Sequence, residues 1–562
     1  MSEPENPFVA RNVAALRKTL HKMWRVLLTR GPSKFQFWLI ALGIGVMAGF
    51  LTVLFRKSLE ALERFSYGAD DGTRLHSYVQ TLDWWWILAV PIMGGVIIGQ
   101  ILHHFTPDAR ARAVAEVIEG AAVNEGRMEH RAGVASIAAS LVTLGMGGSG
   151  GREGPVVHMA GVLASWVSSR IDADGITGRN LLGCAVAAAV SASFNAPIAG
   201  ALFAMEVVLR HFAVQAFAPI VIASVAGAVV SRFYFGDITE FIVPGSGVLA
   251  FYGELPAYLL LGVVSGMVAA IYMYSIFFAE DTAGAAMKRL GFPRWLRPVI
   301  AGALLGGMAI WYPHIIGVGY ETTSAALTGK LVLHEAVVFA VLKVAAVAIT
   351  MGGMMGGGMF SPSLMVGALT GLAFGLIATG FFPEVSGSAT LYALAGMGAV
   401  AGAVLGAPIS TTLIVFELTG DWQTGIAVMI SVSISTALSA RFVARSYFLT
   451  QLERRGVRLA AGPQSYLLSM NRVSLLMRKP DHAKGAPKET CWEMIDDGIY
   501  IDATATLEVA MPIFDRTGVL FIPVVTLGKQ GEEPELLGAL FHVDALQAFN
   551  RALSAISKEE HS

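Results

Sequence analysis

Two stretches, NAPIAGALFAME at residues 195–206 and GAPISTTLIVFE at 406–417, decide how the rest of the chain is read. Each carries Ala-Pro-Ile and then a glutamate at the same distance, Pro197 to Glu206 and Pro408 to Glu417. Upstream of each lies a Gly-x-x-x-Pro break, Gly151 to Pro155 in one half and Gly358 to Pro362 in the other. The chain therefore reads as an internal duplication. Gly/Pro-interrupted apolar segments at corresponding positions of two repeats point to a binding site near the middle of a membrane.

The surrounding sequence is apolar enough for that. Hydrophobic residues make up 54% of the 562 and charged ones only 14%, with a mean hydropathy of +0.61. Windows at 36–56, 84–106, 214–233 and 255–279 reach the roughly 20 apolar residues needed to cross a bilayer. The fold class is an all-α polytopic membrane protein, with repeats at about 36–235 and 255–450. Segments 156–168, 182–194 and 362–380 look too short to cross alone. Broken helices at membrane depth are tolerated where the freed backbone is buried in protein or lines a cavity.

The first window starts late and lacks a cleavage pattern, so it stays as a membrane element rather than a removed signal. The segment 1–35 holds Arg11, Arg17, Lys18, Lys22, Arg25, Arg30 and Lys34 against two glutamates, and Arg441, Arg445, Arg454, Arg455 and Arg458 follow the last span. By the positive-inside bias both termini are cytoplasmic and the number of crossings is even. A net charge of −1 leaves no electrostatic footprint for nucleic acid. Cys184 and Cys491 lie in different environments and suggest neither a disulfide nor a metal site. No cofactor is expected.

The chemistry concentrates in GGSGGREGP, 147–155, where Arg152 and Glu153 stand among apolar runs. A helix N-terminus carries about half a positive elementary charge and binds anions through backbone N–H groups. Pro155 suits a first helical turn, and Gly151 and Gly154 let the backbone approach a ligand. GGGMFSP, 356–362, repeats the pattern with Pro362. Two such ends aimed at one point make an anion site. The Glu153 carboxylate can occupy the anion's place and leave it on protonation, which makes it a candidate gate and, with access to protons, a candidate carrier. A structural ion pair between Glu153 and Arg152 is the plainer alternative.

From about residue 36 to its C-terminus the chain resembles the CLC chloride channels and proton/chloride antiporters. The resemblance rests on GREGP and on Gly358-Met359-Phe360-Ser361-Pro362, together with the duplicated Ala-Pro segments. It implies about eighteen helices in two inverted repeats, a homodimer with one pore per subunit, and a cytoplasmic tail of the CBS type. It implies Glu153 as the gate. An anion site is implied around Arg152, Gly154, Pro155, Gly358, Met359 and Phe360. The function expected is chloride conduction through a voltage- or pH-gated channel in a bacterial inner membrane. Proton-coupled exchange of chloride, or of fluoride or nitrate, is the alternative.

Three departures bear on that expectation. The family's Gly-Ser-Gly-Ile-Pro motif falls on ARAVAE, 111–116, with Arg112 at the serine position. Arg112 would raise anion occupancy, steer anions from the vestibule, or serve as an ordinary positive-inside residue. The internal proton glutamate of the antiporters falls on Val207, next to Glu206, which leans toward a channel. The pore tyrosine falls on Tyr447 or Phe448, and only Tyr447 offers a hydroxyl.

From about residue 460 the chain turns polar, and a degenerate CBS-like α/β domain is expected over 471–562, after a linker at 451–470. The sequence from 498 reads as strand, amphipathic helix from about Thr506 to Arg516, strand, the polar loop LGKQGEEPE, then strand and helix. Phe541 stands three residues before Asp544, where nucleotide-binding members of that family carry Thr or Ser, so an adenine nucleotide is not expected. A remote alternative treats Gly147-Gly148-Ser149-Gly150 as the serine setting of a rhomboid-type intramembrane protease. That reading needs a histidine base on a neighbouring helix, whereas His158 lies on the same segment, and a hydrolase has no use for the duplication. No Lys-Ser or Lys-Thr follows the glycines, which excludes a phosphate loop.

Overall fold

The computed structural model describes residues 34–560 apart from 213, 237–240, 242–251, 384–385, 458, 460–466, 469–470, 481–484, 504 and 527–534. The basic segment before Lys34, most of the polar loop at 527–535 and part of the expected linker lie outside the described residues.

Among the described residues, eight helices of seven or more residues build the first half: α1 Lys34–Tyr67, α2 Trp84–Phe105, α3 Val114–Ala122, α4 His130–Gly145, α5 Glu153–Arg170, α6 Gly175–Phe194, α7 Pro197–Phe203 and α8 Val214–Phe235. Eight build the second: α9 Leu255–Leu290, α10 Arg297–Trp311, α11 Tyr320–Leu327, α12 Leu333–Gly352, α13 Phe360–Phe381, α14 Ala389–Leu405, α15 Pro408–Thr419 and α16 Trp422–Phe442. The halves repeat their packing. Helix α8 lies on α1 and α6 as α16 lies on α9 and α14, and α5 packs on α6 as α13 packs on α14. A short helix α17, Tyr447–Glu453, follows.

The duplicated segments show why the pattern folds this way. Asn195 and Gly406 end α6 and α14 in the left-handed conformation, at φ 57° and 68°. Two residues on, Pro197 and Pro408 restart the chain as first-turn prolines of α7 and α15. The two new helices then cap each other. Glu417, near the end of α15, accepts from Ile198 N (3.0 Å) and Ala199 N (2.8 Å) at the start of α7. Glu206, in the π-helical turn that continues α7 to Leu209, accepts from Ile409 N (2.9 Å) and Ser410 N (2.8 Å) at the start of α15. This reciprocal exchange requires the halves to run in opposite senses, which is the inverted repeat.

Two details differ from the sequence reading. The segments at 156–168, 182–194 and 362–380 belong to helices Glu153–Arg170, Gly175–Phe194 and Phe360–Phe381. The first two are not among the seven helices of the described residues that are long and apolar enough to cross a membrane, whereas the third, α13, is.

The tail has its own core, with Leu507, Phe514, Ile522, Val524 and Leu540 at its centre. Strand β1 (Ile501–Asp502) pairs parallel with β2 (Phe521–Thr526), which pairs antiparallel with β3 (Glu535–Phe541). Helices α18 Lys488–Asp496, α19 Leu507–Thr517 and α20 His542–Glu560 complete it.

Candidate anion site

The two glycine-rich motifs are joined directly. Gly151 N donates to Gly358 O and Gly358 N to Gly151 O, both at 2.7 Å, an isolated antiparallel bridge across the repeats. The approach leaves no room for side chains. A Cβ at Gly154 would lie 2.6 Å from Gly358 Cα, and one at Gly358 would lie 2.6 Å from Gly154 N. One sequence expectation changes with this geometry: the Gly358 amide is spent on Gly151, so Gly358 shapes the site rather than offering an N–H to an anion. Phe360 is wedged between Phe194 and Phe203 of the first half, with ring centroids 4.8 and 5.3 Å away. That packing sets the start of α13 beside the start of α5.

Glu153 opens α5 and is 1% exposed. Its carboxylate reaches across to the N-terminus of α13, where Ser361 donates through Oγ (2.6 Å) and, at 3.4 Å, through its backbone N–H. Tyr320, the first residue of α11, donates its hydroxyl at 3.0 Å to Oε1, the same oxygen that the Ser361 hydroxyl bonds. Hydrogen bonds to an ionised group contribute about 1.5–3 kcal/mol each, so the carboxylate is held as a bound anion would be. Arg152 lies with its guanidinium 4.9 Å from the Tyr320 ring centroid. Pro155 is buried in the first turn of α5.

Two pockets are lined by neighbours of this carboxylate, Arg152 and Tyr320 in one and Gly358 and Met359 in the other. The first contains Arg152, Tyr320, Glu63, His76, His314 and Glu321. The second brings together Arg112, Gly358, Met359, Tyr447 and Phe448, with Glu116 and Glu280 beside them. The structure thus gathers candidates from four separate segments of the chain. Tyr447 and Phe448 both line the second pocket, at 3% exposure each. The Tyr447 hydroxyl accepts from Gln451 (3.4 Å) and its ring stacks on Phe277.

Two charged candidates are committed elsewhere. Arg112 forms an ion pair with Glu129 at 2.6 Å, so its charge does not enter the pocket uncompensated. Glu206, considered for the internal proton path, is the cap of α15, and Val207 beside it is buried and carries no proton. Glu116 does line the second pocket, paired with Arg455 and accepting from Ala113 N at 2.7 Å. The protease alternative gains nothing here. His158 Nδ1 contacts Ala113 O at 3.2 Å, and Ser149 N donates to Thr350 Oγ1.

Sequence reasoning missed Tyr320 and the Ser361 hydroxyl. Ser361 stood inside a motif read for its backbone, and Tyr320 was signalled only by the glycines at 317 and 319 that free its turn.

Comparison with known proteins gives the same architecture a wider context. A family model described as voltage gated chloride channel matches residues 94–440. The chain is 29% identical over 394 residues to a putative chloride channel protein ClcB-like of Ralstonia nicotianae, covering 69% of this chain and 90% of that protein. It is 29% identical over 442 residues to the H(+)/Cl(−) exchange transporter ClcA of Yersinia pestis, covering 75% and 88%. A slow cyanobacterial Cl−/H+ antiporter superposes with a TM-score of 0.64 at 18% identity, over 75% of this chain and 97% of that one, a likeness of fold.

Proposed function

The chain belongs to the family of voltage gated chloride channels, and on that premise we propose that it carries chloride across a membrane through a pore closed by Glu153. The observation that carries the reading is the Glu153 carboxylate, which is buried, bound at the N-terminus of α13, and flanked by residues of two pockets, Arg152 and Tyr320 in one and Gly358 and Met359 in the other. Ionised, it competes with chloride for that N-terminus. Protonated, it loses its electrostatic hold there and clears the path. With the N-terminus cytoplasmic, the pocket at Glu63 and Tyr320 is the outer mouth and the pocket at Tyr447 the inner one. The backbone amides of Gly154, Met359 and Phe360 are the proposed anion donors, and Arg152 biases the outer mouth toward anions. A bacterial inner membrane and a homodimer belong to the same proposal.

Passive conduction is the first reading, because Val207 offers no titratable group and Glu206 is tied up as a cap. A second reading, exchange for protons, has one observation in its favour: Glu116 and Glu280 border the inner pocket. Chloride efflux from proteoliposomes, with proton movement recorded alongside, separates the two. Conduction predicts efflux with no uphill proton movement; exchange predicts proton uptake against its gradient. In either case Glu153→Gln abolishes the pH dependence of flux. A pH dependence that survives in that variant refutes the gate, and fluoride or nitrate flux without chloride flux refutes the anion.

A further inference from the structure

Helix α12 presents one stripe to the site. Phe339, Lys343, Ala346 and Thr350 follow each other at spacings of four, three and four, which keeps them on one helical face. Phe339 stacks on His314, with centroids 4.1 Å apart. Lys343 Nζ donates to Ile315 O (3.2 Å) and Gly317 O (2.9 Å). Thr350 Oγ1 donates to Ala346 O (2.8 Å) and accepts from Ser149 N (3.0 Å). The segment gripped in this way is itself bonded to the first glycine motif, since Gly317 N donates to Gly148 O (3.0 Å) and Gly317 O also accepts from Gly150 N (3.4 Å).

Lys343 is the exceptional member of the stripe. It is 0% exposed, in a helix long and apolar enough to cross a membrane, and its two hydrogen-bond acceptors are backbone carbonyls. A cation there is costly, and an ionisable residue at that depth is a functional candidate. Its position says what it does. Two residues beyond Gly317 the chain turns at Gly319, φ 89°, where a Cβ would lie 3.4 Å from Lys343 Nζ. The next residue is Tyr320, whose hydroxyl holds Glu153.

We propose that Lys343 is a positioning residue for the gate: by clamping the carbonyls of Ile315 and Gly317 it fixes the turn that presents the Tyr320 hydroxyl to Glu153. This rests on the reading of Glu153 as the gate. The predicted chain of action runs from Lys343 through the turn to Tyr320, and only then to the carboxylate.

The test is chloride efflux from proteoliposomes as a function of pH for the native chain, Tyr320→Phe, Lys343→Met, their double variant, Lys343→Arg and Glu153→Gln. Removing the tyrosine donor favours the protonated gate, so half-maximal flux moves to higher pH by about one unit, a tenfold change in the ratio of the two forms. Lys343→Met moves it the same way, the double variant moves no further than Tyr320→Phe, and Lys343→Arg restores at least part of the native midpoint. Lys343→Gln, uncharged but still a donor, keeps more of the native midpoint than Lys343→Met. A lysine effect that persists in full on the Tyr320→Phe background, or no effect where Tyr320→Phe has one, overturns the proposal. Glu153→Gln tests the underlying reading separately: if it stays pH-dependent the gate assignment fails, whereas a flat Glu153→Gln with additive Lys343 and Tyr320 effects sinks only the positioning role.

Discussion

At the scale of single residues the proposed gate works by competition between a carboxylate and an anion for the same donors. Ser361 tests this because its hydroxyl makes the 2.6 Å contact to Glu153. Ser361→Ala should weaken the hold on the ionised gate by about 1.5–3 kcal/mol and raise chloride efflux at neutral pH over that of the native chain. Gly154 tests the opposite limit. A methyl group there would meet Gly358 Cα at 2.6 Å, a backbone contact that cannot yield like a flexible side chain. Gly154→Ala should abolish flux at every pH while leaving an assembled membrane protein, checked by size-exclusion elution beside the flux assay. The surroundings of Glu153 were only partly legible in the sequence. Its charge amid hydrocarbon announced it, and the glycines announced the helix ends. Tyr320 and the Ser361 hydroxyl did not show, because both reach the carboxylate through contacts about 167 and 208 residues apart along the chain that no local pattern encodes.

Elements, not residues, explain the duplicated Pro-to-Glu spacing. The spacing was visible from the start, but the partner of each glutamate was not, since each caps the helix of the other half. Glu417→Ala and Glu206→Ala each leave two helix N-terminal N–H groups without their carboxylate and should each cost about 1–3 kcal/mol, read as a lower melting temperature in detergent. If Glu206→Ala instead abolished proton coupling in a chain shown to exchange protons, with no loss of stability, the cap would be a proton station after all. The turn Pro313–Ile315 before α11 makes a pH prediction. Burial, with the His76 ring beside it, pushes His314 down to about 4 from its usual 6.5. The folded protein therefore declines a proton that the unfolded chain accepts, and stability falls as pH drops from about 6.5 to about 4, then changes no further on this account. His314→Phe keeps the ring that faces Phe339 and should make that acid limb of melting temperature against pH shallower, the remainder coming from His76, which burial also pushes down to about 4.

Taken as a whole the molecule is two units with different rules. The membrane unit was readable as a duplicated anion-site bundle because periodic glycines, prolines and paired motifs survive in one dimension. The lengths of its helices were less readable, since polar residues at a helix start, such as Thr177, Arg179 and Asn180 in α6, drop out of an apolar window yet belong to the helix. The tail carries a sequence signal of another kind, a position where phenylalanine replaces a hydroxyl residue before Asp544, and its geometry gives that change a physical form. Arg478 holds both Asp544 oxygens, Nε to Oδ2 at 2.6 Å and Nη2 to Oδ1 at 2.9 Å, and lays its guanidinium 4.1 Å from the Phe541 ring centroid. The carboxylate that would accept hydroxyl groups of a nucleotide already has a bidentate partner. Both side chains are partly exposed, so the pair contributes little stability and its effect lies in occupancy. Millimolar ATP or AMP should therefore leave both the melting temperature and the chloride flux of the full chain unchanged. Arg478→Ala should leave the fold intact and free Asp544; a nucleotide-dependent rise in melting temperature confined to that variant would show that the arginine blocks a nucleotide site. The same rise in the native chain would mean that Arg478 yields to the ligand and that the tail is a nucleotide sensor.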